Sequence, residues 1–224
     1  MALVRKKPRR EDMMRVPELD PPPNFDARVR TPGEAFLNAH QNPTNQDFRT
    51  HTYWTRVHTE MYESYNGICS YSASWMPRAG DQAPTPHSTI DHFIPRVIEP
   101  RLAYEWQNFR IARRDMNENK GENMDIVDPF HIQNDWFELD FLTCRIKASS
   151  TAHSIVRPRI ARTLQILRLN DYPIIDQRVG VIGDFVHGRV DSPTIERLFP
   201  FIAREITRQK IVQTLIPALR AVYP

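Results

Sequence analysis

"STIDHFIPRVIEP", residues 88–100, sets an aspartate and a histidine side by side, after a β-branched pair and before a proline. Thr89 and Ile90 favour a strand, and Pro95 cannot continue one. Asp91 and His92 therefore stand at a strand end. Alone, the dipeptide is equally compatible with an ordinary strand terminus. The next thirty or so residues decide the reading. An irregular stretch leads to "NFRIA" (108–112), a second short strand. "RRDMNENKG" (113–121) then reads as a polar helical segment stopped at Gly121.

Strand, loop, strand, helix is an order suited to phosphodiester hydrolysis. That reaction needs a base to activate water and a divalent cation to bind the phosphate and stabilise the leaving oxygen. The cation, being hard, takes oxygen ligands. A histidine has the proton affinity for the base. Neighbours on a strand point to opposite sides, so the adjacent carboxylate can face a metal, with a second oxygen ligand supplied by the helix.

Over these residues, "TIDHFIP" and "AYEWQNFRIARRDMNENKGE", the chain resembles an HNH endonuclease. The family pattern is a strand ending in Asp-His, an Asn before the second strand, and a His or Asn on the helix, often followed by Lys-Gly. Asp91-His92, Asn108, Asn117 and Lys120-Gly121 match it in order. The resemblance runs from Tyr62 to Gly121. It implies His92 as general base, Asp91 and Asn117 as ligands of Mg²⁺ or Mn²⁺, and Asn108 as the residue that pins the loop and orients His92. It also implies that Arg96, Arg114 and Lys120 meet DNA phosphates.

Many HNH domains of this type hold a structural zinc with two Cys-x-x-Cys pairs. Here the first pair reads Cys69-Ser70-Tyr71-Ser72 and the second Arg113-Arg114-Asp115-Met116. Only one of the four thiolates is present, so a Cys₄ site cannot form. No structural zinc is expected, and Met116, Ser72 and Arg113 are expected to join the two segments instead. Zinc-free HNH domains, including that of the RNA-guided CRISPR nuclease, share this departure. More broadly the chain looks like HNH proteins of bacterial anti-phage defence, Septu-like or retron-linked. That resemblance implies DNA as substrate and an ATPase-like protein partner. Two alternatives stay open: a catalytically silent nucleic-acid-binding or regulatory subunit, and an HNH nuclease that cleaves RNA.

Composition frames this core. The chain has 224 residues, 40% of them hydrophobic, a net charge of +3 and only two cysteines. The charge is a mild lean toward anionic partners. "MALVRKKPRREDMM" lacks the apolar segment of a signal peptide, and no run of about 18 apolar residues occurs. A cytoplasmic protein with reduced thiols and no membrane span is expected.

Three regions are expected in an α+β fold with a ββα-metal core. Residues 1–50, with "PELDPPPNF" and five Lys or Arg among the first ten, read as an extended basic arm. Residues 51–125 form the nuclease core, beginning with a helix that carries Tyr53, Val57 and Met61 and ends at Gly67. Residues 126–224 read as a hairpin plus a mostly helical layer. "WFELDFLTCRIKA" is the hairpin candidate, with Cys144 a core thiol in a strand. Ile160, Leu164 and Leu167 share one helix face. Ser192-Pro193 looks like a helix start, and Ile202, Ile206, Leu215 and Leu219 line a last helix kinked at Pro217. The "GVIGD" at 180–184 lacks the Lys-Ser/Thr of a phosphate loop. The histidines other than His92 read as surface or structural residues, with His87 the nearest outsider.

Overall fold

The computed structural model describes residues 16–82, 87–211 and 216–223. The basic residues of the first ten and Leu215 lie outside the described residues. The chain mixes helices with two small antiparallel sheets, in agreement with the α+β expectation. It divides into two compact units, Glu18–Ile126 with Gln165–Arg168, and Met1–Pro17 with Val127–Leu164 and Leu169–Pro224. No helix among the described residues is long and apolar enough to cross a membrane.

The first unit begins with a correction. Residues 26–39 and 45–50 are helical where the proline content predicts an extended arm. A π-helical turn, Asp26–Arg30, runs into α1 (Thr31–Ala39), and α2 spans Asn45–Thr50. Prolines 21–23 end before the apolar spacing starts: Phe25, Val29 and Phe36 are all buried. Pro32 sits in the first turn of α1, where its missing N–H costs nothing. A reciprocal Thr44–Asp47 capping box starts α2 and places Phe48 inside. Arg30 then grips Glu105 through Nε and Nη, at 3.0–3.1 Å. Trp106 Nε1 donates to Leu19 O at 2.6 Å, and Phe25 packs edge-on against Trp106. Gly33 lies so close to Tyr104 that a Cβ would stand 2.2 Å from its ring.

The short helix α3 (His58–Ser64) ends before Gly67, whose φ of +68° turns the chain back. A tight turn follows, closed by the Ile68–Trp75 bridge and tied to the sheet by Ser70 N–H to Ile111 O, 2.8 Å. Strand β1 (Ser88–His92) pairs antiparallel with β2 (Phe109–Arg113), placing Asp91 opposite Arg110 and His92 opposite Phe109. Helix α4 (Arg114–Lys120) leaves β2 directly and packs on both strands. Gly121, at φ +52°, ends it.

The second unit centres on the hairpin of β3 (Phe137–Asp140) and β4 (Arg145–Ala148). Cys144 lies in the connecting turn at φ 54°, not in a strand, and its thiol meets Tyr223 Oη at 2.8 Å. Helix α5 (Arg157–Ile166) buries Ile160 and Thr163, and Leu167, which with Gln165–Arg168 belongs to the first unit, is buried just beyond it. The face is thus rotated slightly from the one drawn through Leu164, which is half-buried. After α6 (Ile174–Val186), Asp191 is the N-cap of α7 (Ser192–Leu198), accepting from Thr194 N at 2.9 Å. Asp191, one residue before the expected Ser192, therefore starts that helix. The last helix is broken rather than kinked. α8 (Pro200–Arg208) ends before Lys210, at φ 54°, and α9 (Ile216–Val222) contains Pro217 in its first turn.

Candidate active site

Strand alternation sends Asp91 and His92 to different surroundings. Asp91 faces α4. Its Oδ1 lies 3.1 Å from Lys120 Nζ, and its Oδ2 accepts from the Tyr71 hydroxyl. Lys120 also donates to His92 O at 2.8 Å. Burial pushes the Asp91 carboxyl above its ordinary range, while Lys120, Tyr71 and Arg110 pull against that shift. Asp91 is 3% exposed and Lys120 0%.

His92 faces an aromatic wall. Its ring meets Trp54 and Phe109 edge-on, at 4.7 and 5.3 Å between centroids. Nε2 lies 2.8 Å from Ala103 O, a partner that can only accept, so Nε2 carries the proton. Nδ1 makes no hydrogen bond with a described residue. Burial, with Arg96 and Lys120 adding to it, pushes the His92 pKa down to about 3. The imidazole is neutral, with its tautomer fixed by a backbone carbonyl.

Asn108 holds the loop that supplies that carbonyl. Its Oδ1 accepts from Ile94 N at 2.8 Å, and its Nδ2 donates to Ile94 O and Leu102 O at 2.9 and 3.1 Å. One buried amide therefore ties both ends of the stretch between His92 and Ala103. Asn117 stands one turn before Lys120 on α4. It is half-buried, and its side chain makes no hydrogen bond with a described residue.

The three basic residues separate. Arg114 is exposed at the start of α4. Arg96 is half-buried, its guanidinium 5.3 Å from the Trp54 ring centre and 5.6 Å from that of Phe48. Its Nε is buried without a hydrogen-bond partner among the described residues. Lys120 corrects the sequence reading: expected to meet a DNA phosphate, it is enclosed and paired with Asp91. Helical spacing puts Lys120 on the Asn117 face, but that face turns inward onto β1.

The turn at Cys69 and the start of α4 are joined by sulfur. The Cys69 thiol donates to Met116 Sδ at 3.8 Å and accepts from Tyr71 N and Arg113 N, each at 3.4 Å. Arg113 pairs with Asp115 at 2.7 Å. Ser72 departs from expectation, since its hydroxyl is buried without a hydrogen-bond partner among the described residues. His87 bonds to Asp81 O, away from His92.

The donors suit a hard cation. Mg²⁺ keeps several waters and often uses one or two carboxylates plus substrate phosphate. Asp91 offers a carboxylate with two of its four lone-pair positions taken, and Asn117 offers an unengaged amide. Among the described residues no group of three or more His, Cys, Asp or Glu forms a denser ligand set. Lys120 is the competitor for Asp91.

Tyr71 and Trp54 are functional candidates that sequence reasoning missed. Neither sits at a telling spacing from Asp91-His92, and only folding brings them there. No family model matches this chain, and no curated protein matches it in sequence.

Proposed function

We propose that the chain is a metal-dependent endonuclease of the HNH type that hydrolyses phosphodiester bonds in DNA. The observation that carries the reading is His92: a neutral imidazole at a strand end, its Nε2–H tied to Ala103 O and its Nδ1 without a hydrogen-bond partner among the described residues. Nδ1 takes a proton from water as the water oxygen bonds to phosphorus and the P–O bond to the leaving oxygen breaks. A phosphate arriving beside the ring raises its proton affinity from the low resting value. The Ala103 carbonyl stabilises the imidazolium that forms. Asn108 is a positioning residue, acting through the loop. Asp91 and Asn117 would hold Mg²⁺ or Mn²⁺, which when bound neutralises charge on the phosphate and the leaving oxygen. Arg96 and Arg114 are the proposed phosphate contacts, Arg96 by virtue of its unpartnered Nε.

One observation favours a second reading. Asp91 is already compensated by Lys120, which suits a frame that binds nucleic acid without cutting it. Plasmid cleavage in Mg²⁺, Mn²⁺ or EDTA separates the two. We expect metal-dependent cleavage, with His92→Ala slower by about 10²–10⁴-fold and DNA binding retained. Equal cleavage by His92→Ala removes the assignment. Retardation of DNA without cleavage, in every metal, selects the silent reading. The same assay on single-stranded RNA tests the RNA-cleaving alternative. The resemblance to paired defence nucleases extends the proposal to an ATPase-like subunit, which co-purification with the neighbouring gene product examines.

A further inference from the structure

Lys120 has no part in the reaction proposed above, yet it is among the largest fully buried side chains. Burying an ammonium is costly unless it is paired and hydrogen-bonded. Here it is both, to Asp91 Oδ1 at 3.1 Å and His92 O at 2.8 Å. Tyr71 takes the other carboxylate oxygen. From β2, the buried Arg110 stands opposite Asp91 and adds its positive field. Two cations therefore compensate one carboxylate. A divalent ion on Asp91 would share that carboxylate with the Lys120 ammonium, and like charges so close in a buried site repel strongly. One of them must leave. Lysine can, because its charge rides on a flexible four-carbon stem, and Lys120 is the last residue of α4, where helices fray.

We propose that Lys120 is an internal cation that holds Asp91 in the metal-free state and is displaced when a divalent cation binds. It sets the threshold at which the site takes metal. Asp91 is thereby kept ordered without metal, and the site stays unloaded until the ion is abundant or arrives with substrate phosphate. This rests on the metal-dependent reading above.

Calorimetric titration of the full chain with Mn²⁺ and Mg²⁺, without nucleic acid, tests it. Lys120→Met should bind either ion at least ~10-fold more tightly than the wild type. Asp91→Asn should abolish the binding in both backgrounds. Equal affinities in wild type and Lys120→Met overturn the displacement while leaving the metal reading intact. Absence of binding in both overturns the metal reading, and the displacement with it. A second measurement needs no variant, in case Lys120→Met does not fold. Acetylation of Lys120 in the wild type, followed by mass spectrometry, should be slow in EDTA and several-fold faster at saturating metal. Unchanged labelling at saturation overturns the proposal.

Discussion

His92 carries its own pH signature. Its folded pKa lies at about 3, against an ordinary value near 6.5 for an unfolded chain. Below pH ~6.5 the unfolded chain binds a proton that the folded chain refuses. Stability contributed by the neutral ring is therefore complete above that pH and is lost as pH falls toward about 3. Each pH unit in that window costs up to ~1.4 kcal/mol from this one group. Denaturant unfolding at stepped pH should show this slope in the wild type. His92→Gln, which cannot take the proton, should flatten it. A wild-type slope unchanged by the substitution would mean that other groups carry the acid sensitivity. At this scale the sequence was informative about identity and silent about environment. Asp91, His92, Asn108 and Asn117 were singled out through the resemblance that their order carries. That Lys120 is enclosed, or that Tyr71 reaches Asp91, follows from atoms distant in sequence.

Elements are joined in the first unit through sulfur and one ion pair. The turn at Cys69, β2 and the start of α4 meet through one thiol, one thioether and the Arg113–Asp115 pair. Met116 is 0% exposed at that junction, so its packing holds the segments together. Met116→Asp should destabilise the protein by about 2–5 kcal/mol, through lost packing and a buried charge. The purified protein should hold no stoichiometric zinc, and EDTA should leave its melting temperature almost unchanged. Stoichiometric zinc, or a large melting shift on chelation, would show that the junction is a metal site. The apolar Met116 made this expectation legible. The Cys69–Met116 contact itself was not, because spacing does not say which sulfur a thiol will meet. The helices of residues 26–50 were legible too, in the Phe25–Val29 spacing and the Thr44–Asp47 box, but the adjacent proline run outweighed those signals.

At the scale of the whole molecule, each unit has its own buried polar anchor. In the first it is Asp91 with Lys120. In the second it is Glu205, 0% exposed, which accepts from Leu139 N at 3.0 Å and from Arg204 and Arg208 at 2.7–2.9 Å. Burial pushes its carboxyl up, but Arg208, the Leu139 amide and Arg204 outweigh burial and hold it below the ordinary range. The group binds α8 to β3 as a charged hinge-pin. Glu205→Ala removes one acceptor from Arg204, Arg208, the Gln209 amide and the Leu139 N–H. It should cost about 3–5 kcal/mol, measured by chemical denaturation. A loss under about 1 kcal/mol would mean that water or another acceptor replaces the carboxylate. Arg178 plays the complementary part, donating to Cys144 O at 2.6 Å and to Leu169 O, and so ties α6 to the hairpin turn.

The sequence by itself determined the local order of the candidate site. β-branched residues before Asp91-His92 make a strand, Asn108 precedes a second strand, and Gly121 stops a helix, because these preferences act within a few residues. It also excluded a four-cysteine zinc site by simple count. Tertiary structure alone decided which charges meet. The enclosure of Lys120 against Asp91, the carbonyl that fixes the His92 tautomer, and the unpartnered Arg96 Nε all depend on groups brought together from separate elements. Pairing energies in a buried site depend on distance and desolvation, and a linear sequence specifies neither until the chain has folded.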